Sequence, residues 1–188
     1  MNPLSDRFDQ ALLFAVELHR QQVRKLSRVP FVAHLLGVAA LVLENGGTED
    51  QAIAALLHDS VEDQGGRATL EAIRIRFGDR VARLVEDLSD SFEKPKAPWR
   101  QRKLSYIARL PDHHPDALLV SLADKLYNAE SLLREFERGG DSVWQRFNGG
   151  KSGTLWYYRT LADYFNDSHP GWLADELVRV VRELEKVS

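Results

Sequence analysis

The sequence predicts an all-α fold, a bundle of about eight to ten helices in one domain spanning residues 1–188. Apolar residues recur at three- and four-residue spacing along most of the chain, and glycine pairs and prolines separate these stretches at helix-length intervals. No segment reads as a convincing strand, and no repeat or low-complexity tract interrupts the pattern.

The elements follow in order. Phe8, Leu12, Ala15, Val16 and His19 share one face of a first helix, with Ser5 or Asp6 as its cap. Pro30, at a first-turn position, opens a second helix through Leu43, which Asn45-Gly46-Gly47 closes. Thr48 caps a third, which carries Ile53, Ala54, Leu56 and Leu57 into His58-Asp59 and stops at Gly65-Gly66. Thr69 to Phe77 forms a fourth helix ended by Gly78, and Val81, Leu84, Val85 and Leu88 mark a fifth. Ser89 to Pro98 is polar, holds two prolines and reads as a loop. Trp99 to Leu110 is a basic amphipathic helix, and Pro115 to about Glu137 a long apolar one. Gly139-Gly140 and Gly149-Gly150 punctuate a loop-rich passage around Trp144 and Phe147, before closing helices at Leu155–Phe165 and Trp172–Leu184.

Composition narrows the function. With 188 residues, 44% of them hydrophobic, the chain can bury one substantial core. A formal charge of −3 leaves no global basic field for a duplex, so no nucleic-acid partner is expected. Without cysteine there is no disulfide frame, thiolate metal site or cysteine nucleophile. No apolar run approaches the roughly 18 residues of a spanning helix, and the N-terminus lacks a basic stretch followed by an apolar core. A cytoplasmic protein with no membrane partner is expected; oligomeric state is not legible, because the aromatic residues near Trp144 and Trp172 suit a core or a dimer equally.

Four separated residues of metal-ligating type carry the chemistry: His34, the pair His58-Asp59, and Asp124. Ala54 to Leu57 runs straight into His58-Asp59, and Leu118 to Ala123 straight into Asp124. Burying such a carboxylate costs several kcal/mol unless it is paired or bound to a cation, and a metal ion removes that cost. The basic neighbour of Asp124, Lys125, is expected to point about 100° away around the helix. His58 and Glu62 are four residues apart, as are Asp59 and Asp63, so two rows of functional groups rise along one helix face. Imidazole and carboxylate ligands suit a divalent ion with open positions, and Glu62 or Asp63 could orient its water or take the proton. Two imidazoles and two carboxylates fit Mn²⁺, Fe²⁺, Zn²⁺ or Ni²⁺ alike. Taken alone, His34 would be a core histidine and the two acids a solvated helix end; His19, His113, His114 and His169 lack ligand partners and read as surface or packing residues.

Ala54-Ala55-Leu56-Leu57-His58-Asp59-Ser60-Val61-Glu62-Asp63 resembles the signature of the HD-domain hydrolases of the RelA/SpoT group, specifically the small stand-alone alarmone hydrolases. Arg24-Lys25 with Pro30-Phe31-Val32-Ala33-His34, Phe77-Gly78 with Val81–Val85, and Leu122 to Asn128 are similar to three further stretches of that family, so the resemblance spans about residues 10 to 165. Two departures stand out: Leu35 follows the first histidine where many members have proline, and Asp87 to Trp99 lacks the usual glycine-valine-threonine-lysine approach to the loop.

The resemblance implies an HD-type helical domain in which His34, His58, Asp59 and Asp124 ligate one divalent metal, usually manganese, while Glu62 and Asp63 serve the nucleophilic water. It implies a small-molecule nucleotide partner, guanosine tetra- or pentaphosphate, cleaved at the 3′-diphosphate to GDP or GTP and pyrophosphate; adenosine analogues such as pppApp stay open. Arg24, Lys25, Asn128 and Tyr157 are then substrate residues, with Lys103 drawn from the basic group Lys94, Lys96, Arg100, Arg102 and Lys103 for phosphate. No synthetase module is expected, so the chain degrades an alarmone without making one. Two alternatives remain: a phosphohydrolase of another nucleotide, such as NADPH or a nucleoside monophosphate, and a non-catalytic nucleotide-binding module.

Overall fold

The computed structural model describes residues 3–89 and 97–187, and its described residues form ten α-helices and two short 3₁₀ segments. Helix α1 (Asp6–Leu18) starts at Ser5, whose hydroxyl accepts the Arg7 N–H at 3.3 Å. The reading of Pro30 as a first-turn residue is corrected: α2 spans Val32–Glu44 with Phe31 as cap. Residues 22–31 fold back on themselves, Phe31 donating to the Gln22 carbonyl and Arg24 to that of Val29, so Pro30 is drawn into an isolated antiparallel bridge with Val23. Arg28 takes a left-handed conformation (φ 62°) to close this turn, which aims Arg24 inward.

The third predicted helix is two. Helix α3 (Glu49–Leu57) opens with a capping box between Thr48 and Gln51, and a second, five-residue helix α4 (Ser60–Gln64) follows. Asp59 departs from helical geometry (φ −89°, ψ −8°) between them, so the two rows of functional groups do not continue along one straight helix. Helices α5 (Arg67–Phe77) and α6 (Asp79–Leu88) follow as expected. Of the Ser89–Pro98 loop, Lys94 and Lys96 lie outside the described residues.

Helix α7 (Trp99–Arg109) runs through a 3₁₀ turn at Leu110–Asp112 into α8 (Pro115–Gly139). The passage read as loop-rich holds a seven-residue 3₁₀ segment, Gly140–Arg146, whose Val143 and Trp144 are buried. Apolar periodicity misses such a segment because its side chains repeat every three residues rather than every 3.6. Helix α9 (Gly150–Ser168) begins earlier than its apolar pattern, and α10 (Trp172–Val187) closes the chain.

Two apolar clusters meet along α8. One gathers α1–α6 around Ala11, Leu35, Ile53, Leu56, Ile73 and Val85; the other gathers α7, α9 and α10 around Tyr106, Leu161, Phe165 and Leu177. Helix α8 serves both, turning Val120 and Ala123 to the first and Leu122, Leu126 and Leu132 to the second. Asp124 falls on the seam between them.

Close approach of α2 and α8 depends on Gly37, because a Cβ there would land inside the Tyr127 ring. That ring packs 5.2 Å from His34, and its hydroxyl donates to the Ala33 carbonyl at 3.2 Å. Gly37→Ala is expected to lower stability by about 1–3 kcal/mol through overpacking, read as a lower urea midpoint at unchanged slope. Ile75→Ala, at a 77% exposed position, should shift stability by less than about 0.5 kcal/mol.

Candidate metal centre

Four helices bring four residues of metal-ligating type to the seam. His34 lies in the first turn of α2, His58 caps the C-terminus of α3, Asp59 caps the N-terminus of α4, and Asp124 sits mid-way along α8. The His34 and His58 Nε2 atoms are 3.3 Å apart. Asp59 Oδ2 lies 3.4 and 3.2 Å from them, and Asp124 Oδ1 lies 3.3 and 3.5 Å from the same two. Such separations suit donors sharing one ion at about 2.0–2.2 Å; His34, His58 and Asp59 form the mutually close group, and Asp124 faces its two imidazoles.

The chemistry of the donors fits a cation as well as their spacing does. His58 Nδ1 lies 2.8 Å from the Ala55 carbonyl, to which it donates, leaving Nε2 as the lone-pair side turned to the cage. Burial alone would push the His58 imidazole down, but Asp59 and Asp124 outweigh it and hold the group well above its ordinary range. Burial likewise raises both carboxyls, yet His58 and His34 beside Asp59, and Lys125 with the two histidines beside Asp124, hold them well below the usual carboxylate range. The cage demands positive charge, which a proton on His58 or a divalent ion can supply.

The expectation that Lys125 points away from Asp124 is overturned. Its Nζ donates to Asp124 Oδ2 at 2.6 Å and lies 4.9 Å from the centre of the Tyr106 ring. The angular argument described the Cβ direction, whereas a four-carbon stem swings back over it. Asp124 keeps the ammonium well above its ordinary range against the downward push of burial. On the other oxygen, Asn128 Nδ2 donates to Asp124 Oδ1 at 2.6 Å, and Arg24 Nη2 donates to Asn128 Oδ1 at 2.8 Å. Arg24, Asn128, Asp124 and Lys125 thus form one connected chain.

A cleft of about 360 Å³ opens beside the cage. His58, Asp59, Glu62 and Asp63 line one side, and Arg24, Arg102, Lys103, Lys125 and Asn128 the others. Glu62 lies 3.7 Å from Arg102 Nη1 across the cleft, and Asp63 Oδ2 accepts from Gln22 Nε2 at 2.7 Å. The Lys103 ammonium stands 4.8 Å from the centre of the Tyr157 ring, so both lie in the cleft wall. Lys25 lies in a smaller adjoining cavity that shares Arg24, Phe31, Asn128, Phe147 and Tyr158 with the cleft. Arg100 turns outward over Trp156, 4.7 Å from its ring centre.

Sequence reasoning passed over Lys125, Phe31, Trp99, Phe147, Thr154 and Tyr158, all of which line the cleft. Trp99 could have been found from the glycines: a Cβ on Gly149 would strike its indole, so the glycines read as punctuation also admit that ring. Burial, with Asp124 nearby, pushes the Tyr158 hydroxyl up to about 12. His19 is a packing residue as read, but it is hydrogen-bonded beside the site, to Gln22 and Ser60.

The HD domain family profile matches residues 11–155 of this chain. The chain is 41% identical over 128 residues to mouse guanosine-3′,5′-bis(diphosphate) 3′-pyrophosphohydrolase MESH1, covering 66% of this chain and 69% of that protein. It is 37% identical over 139 residues to the guanosine-3′,5′-bis(diphosphate) 3′-pyrophosphohydrolase of Aquifex aeolicus, covering 71% of this chain and 19% of that one. A solved structure described as a metazoan ortholog of SpoT that hydrolyzes ppGpp superposes with a TM-score of 0.77 at 26% identity, covering 97% of this chain and 98% of its own. A structure from Listeria monocytogenes superposes with a TM-score of 0.70 at 31% identity, over 81% of this chain and 99% of that one.

Titrating metal-stripped protein with a divalent cation should raise Tm, with stabilisation reaching about 2.7 kcal/mol at a hundredfold excess over Kd; His58→Ala should abolish the response. Asp124→Asn leaves the Lys125 ammonium buried without its counter-ion. In metal-free protein it is expected to cost about 3–5 kcal/mol, part of which the double variant Asp124→Asn, Lys125→Met recovers. Chemical denaturation of the three variants checks this.

Proposed function

Because this chain belongs to the HD-domain family, we propose that it is a divalent-metal-dependent hydrolase removing the 3′-diphosphate of guanosine 3′,5′-bis(diphosphate), with water, to give GDP and pyrophosphate. The pentaphosphate would give GTP in the same way. The observation that carries the reading is the cleft itself, whose lining brings the metal-competent residues and the acids Glu62 and Asp63 together with Arg24, Arg102, Lys103 and Lys125. The named activity of the relatives supports the substrate.

In this proposal His34, His58, Asp59 and Asp124 hold one ion, and manganese is the metal inherited from the family resemblance. The bound ion would supply Lewis acidity toward the scissile phosphate and its water. Glu62 and Asp63 point the water at the phosphorus next to the 3′-oxygen and accept its proton as the P–O bond forms. The 3′-oxygen leaves as the ribose hydroxyl, taking up a proton. Arg102, Lys103 and Lys125 face the phosphates, where positive charge offsets that developing on the equatorial oxygens. Arg24 and Asn128, with Tyr157 and Tyr158, line the nucleoside end, and Lys25 closes the adjoining cavity.

The whole chain, 1–188, acts in this reading as a single HD-type domain. Its partner is a small nucleotide rather than nucleic acid, as a cleft of this size and a net charge of −3 suit. Among the described residues no helix is long and apolar enough to cross a membrane. A cytoplasmic location, where soluble nucleotides are accessible, belongs to the same proposal.

Metal-stripped protein incubated with ppGpp should release GDP and pyrophosphate only after Mn²⁺ is added, as resolved by ion-exchange chromatography. Orthophosphate from another nucleotide, with ppGpp untouched, would overturn the substrate assignment. Glu62→Gln and Asp63→Asn should keep their metal and lose at least about a hundredfold in kcat. Arg24→Ala, which touches neither the cage nor the water side, should chiefly raise KM.

A further inference from the structure

A chain of polar side chains behind the cleft ends on Asp63. His19, buried at the C-terminal cap of α1, lies with Nε2 3.1 Å from Ser60 Oγ and Nδ1 2.7 Å from Gln22 Oε1. Gln22 Nε2 lies 2.7 Å from Asp63 Oδ2, and the Gln64 amide donates to Gln22 Oε1. Ser60 is fully buried, whereas Asp63 is exposed at the far end of the five-residue α4. A buried anchor is thus connected, through two side chains, to an exposed acid at the end of a five-residue helix.

The direction of each bond is fixed from the carboxylate inward. A carboxylate only accepts, so Gln22 turns its NH₂ to Asp63 and its carbonyl oxygen to His19. That oxygen only accepts, so His19 carries its hydrogen on Nδ1. Nε2 of the neutral ring then accepts from the Ser60 hydroxyl. Reversing the Gln22 amide would set its oxygen against the Asp63 carboxylate and its nitrogens against the Gln64 amide. His19 is held in turn by Phe31, whose ring stacks on it at 5.0 Å and 20°.

We propose that Gln22 is a positioning residue for the reaction, fixing the Asp63 carboxylate toward the cleft through an amide that buried His19 orients. The proposal rests on the role given to Asp63 above. Gln22 has no place in the metal cage and does not line the cleft, so its effect passes through Asp63. The Gln22 amide fixes the rotation of the Asp63 carboxylate, and misplacement by an ångström is enough to cost tenfold or more.

The test uses the full chain. Turnover of ppGpp with Mn²⁺ is measured for Gln22→Ala, Asp63→Asn and the double variant, and the His19 ring nitrogens are read by NMR in the metal-free protein. The expected result is a roughly tenfold lower kcat for Gln22→Ala with KM within about twofold and metal content unchanged. The loss should vanish in the Asp63→Asn background, because the two substitutions remove the same function. His19 should show the Nδ1–H tautomer, and His19→Asn, whose amide nitrogen replaces Nδ1, should retain more kcat than His19→Leu.

A kcat for Gln22→Ala equal to wild type, a loss that persists in full alongside Asp63→Asn, or an Nε2–H tautomer would each overturn the proposal. A wild-type chain inert toward ppGpp would instead remove the functional reading, while the tautomer, observed without substrate, still decides the hydrogen-bond chain.

Discussion

Burial of the Asp124 carboxylate, at the seam between two apolar clusters, is the constraint around which the structure is organised. A carboxylate in that position costs several kcal/mol unless its charge is answered, and here each oxygen is answered separately. Oδ2 takes the Lys125 ammonium, while Oδ1 takes the Asn128 amide and faces the two imidazoles. The carboxylate is therefore held so that one oxygen stays on the cage side, whichever cation occupies the cage. Helix α8 can present it there only because its two faces are committed to different cores.

The same arrangement gives the cleft its polarity. The acids Glu62 and Asp63 line the same cleft as Arg102, Lys103 and Lys125. Neither group is stable by itself in a partly dry site; the Glu62–Arg102 and Asp124–Lys125 pairs cross-neutralise them.

Absent side chains matter as much as the charged ones. Gly37 lets Tyr127 lie against α2 and buttress His34, and Gly149 with Gly153 lets Trp99 form a wall of the cleft against α9. The turn at residues 22–31 is pinned from outside by Arg146, whose guanidinium donates to the Leu26 carbonyl at 3.2 Å. The turn that carries Arg24 is thereby tied to the C-terminal half of the fold, and Arg24 is hydrogen-bonded through Asn128 to Asp124.

The helices, their order and the four residues that meet at the seam were legible in the amino-acid sequence, because 3.6-residue periodicity and capping are local and a polar residue interrupting an apolar run is visible without a structure. His34, His58, Asp59 and Asp124 could be named for that reason. The break at Asp59, the withdrawal of Pro30 into a bridge and the 3₁₀ segment at Gly140–Arg146 were not legible, since each is set by contacts that local propensity does not encode. Lys125 shows the limit most plainly: helical phase turned it away from Asp124, and only the packing of Tyr106 and the low polarity of the seam bring its flexible stem back. The sequence by itself determined which groups could do chemistry; tertiary structure decided which of them meet, because side-chain reach and burial depend on neighbours distant in the chain.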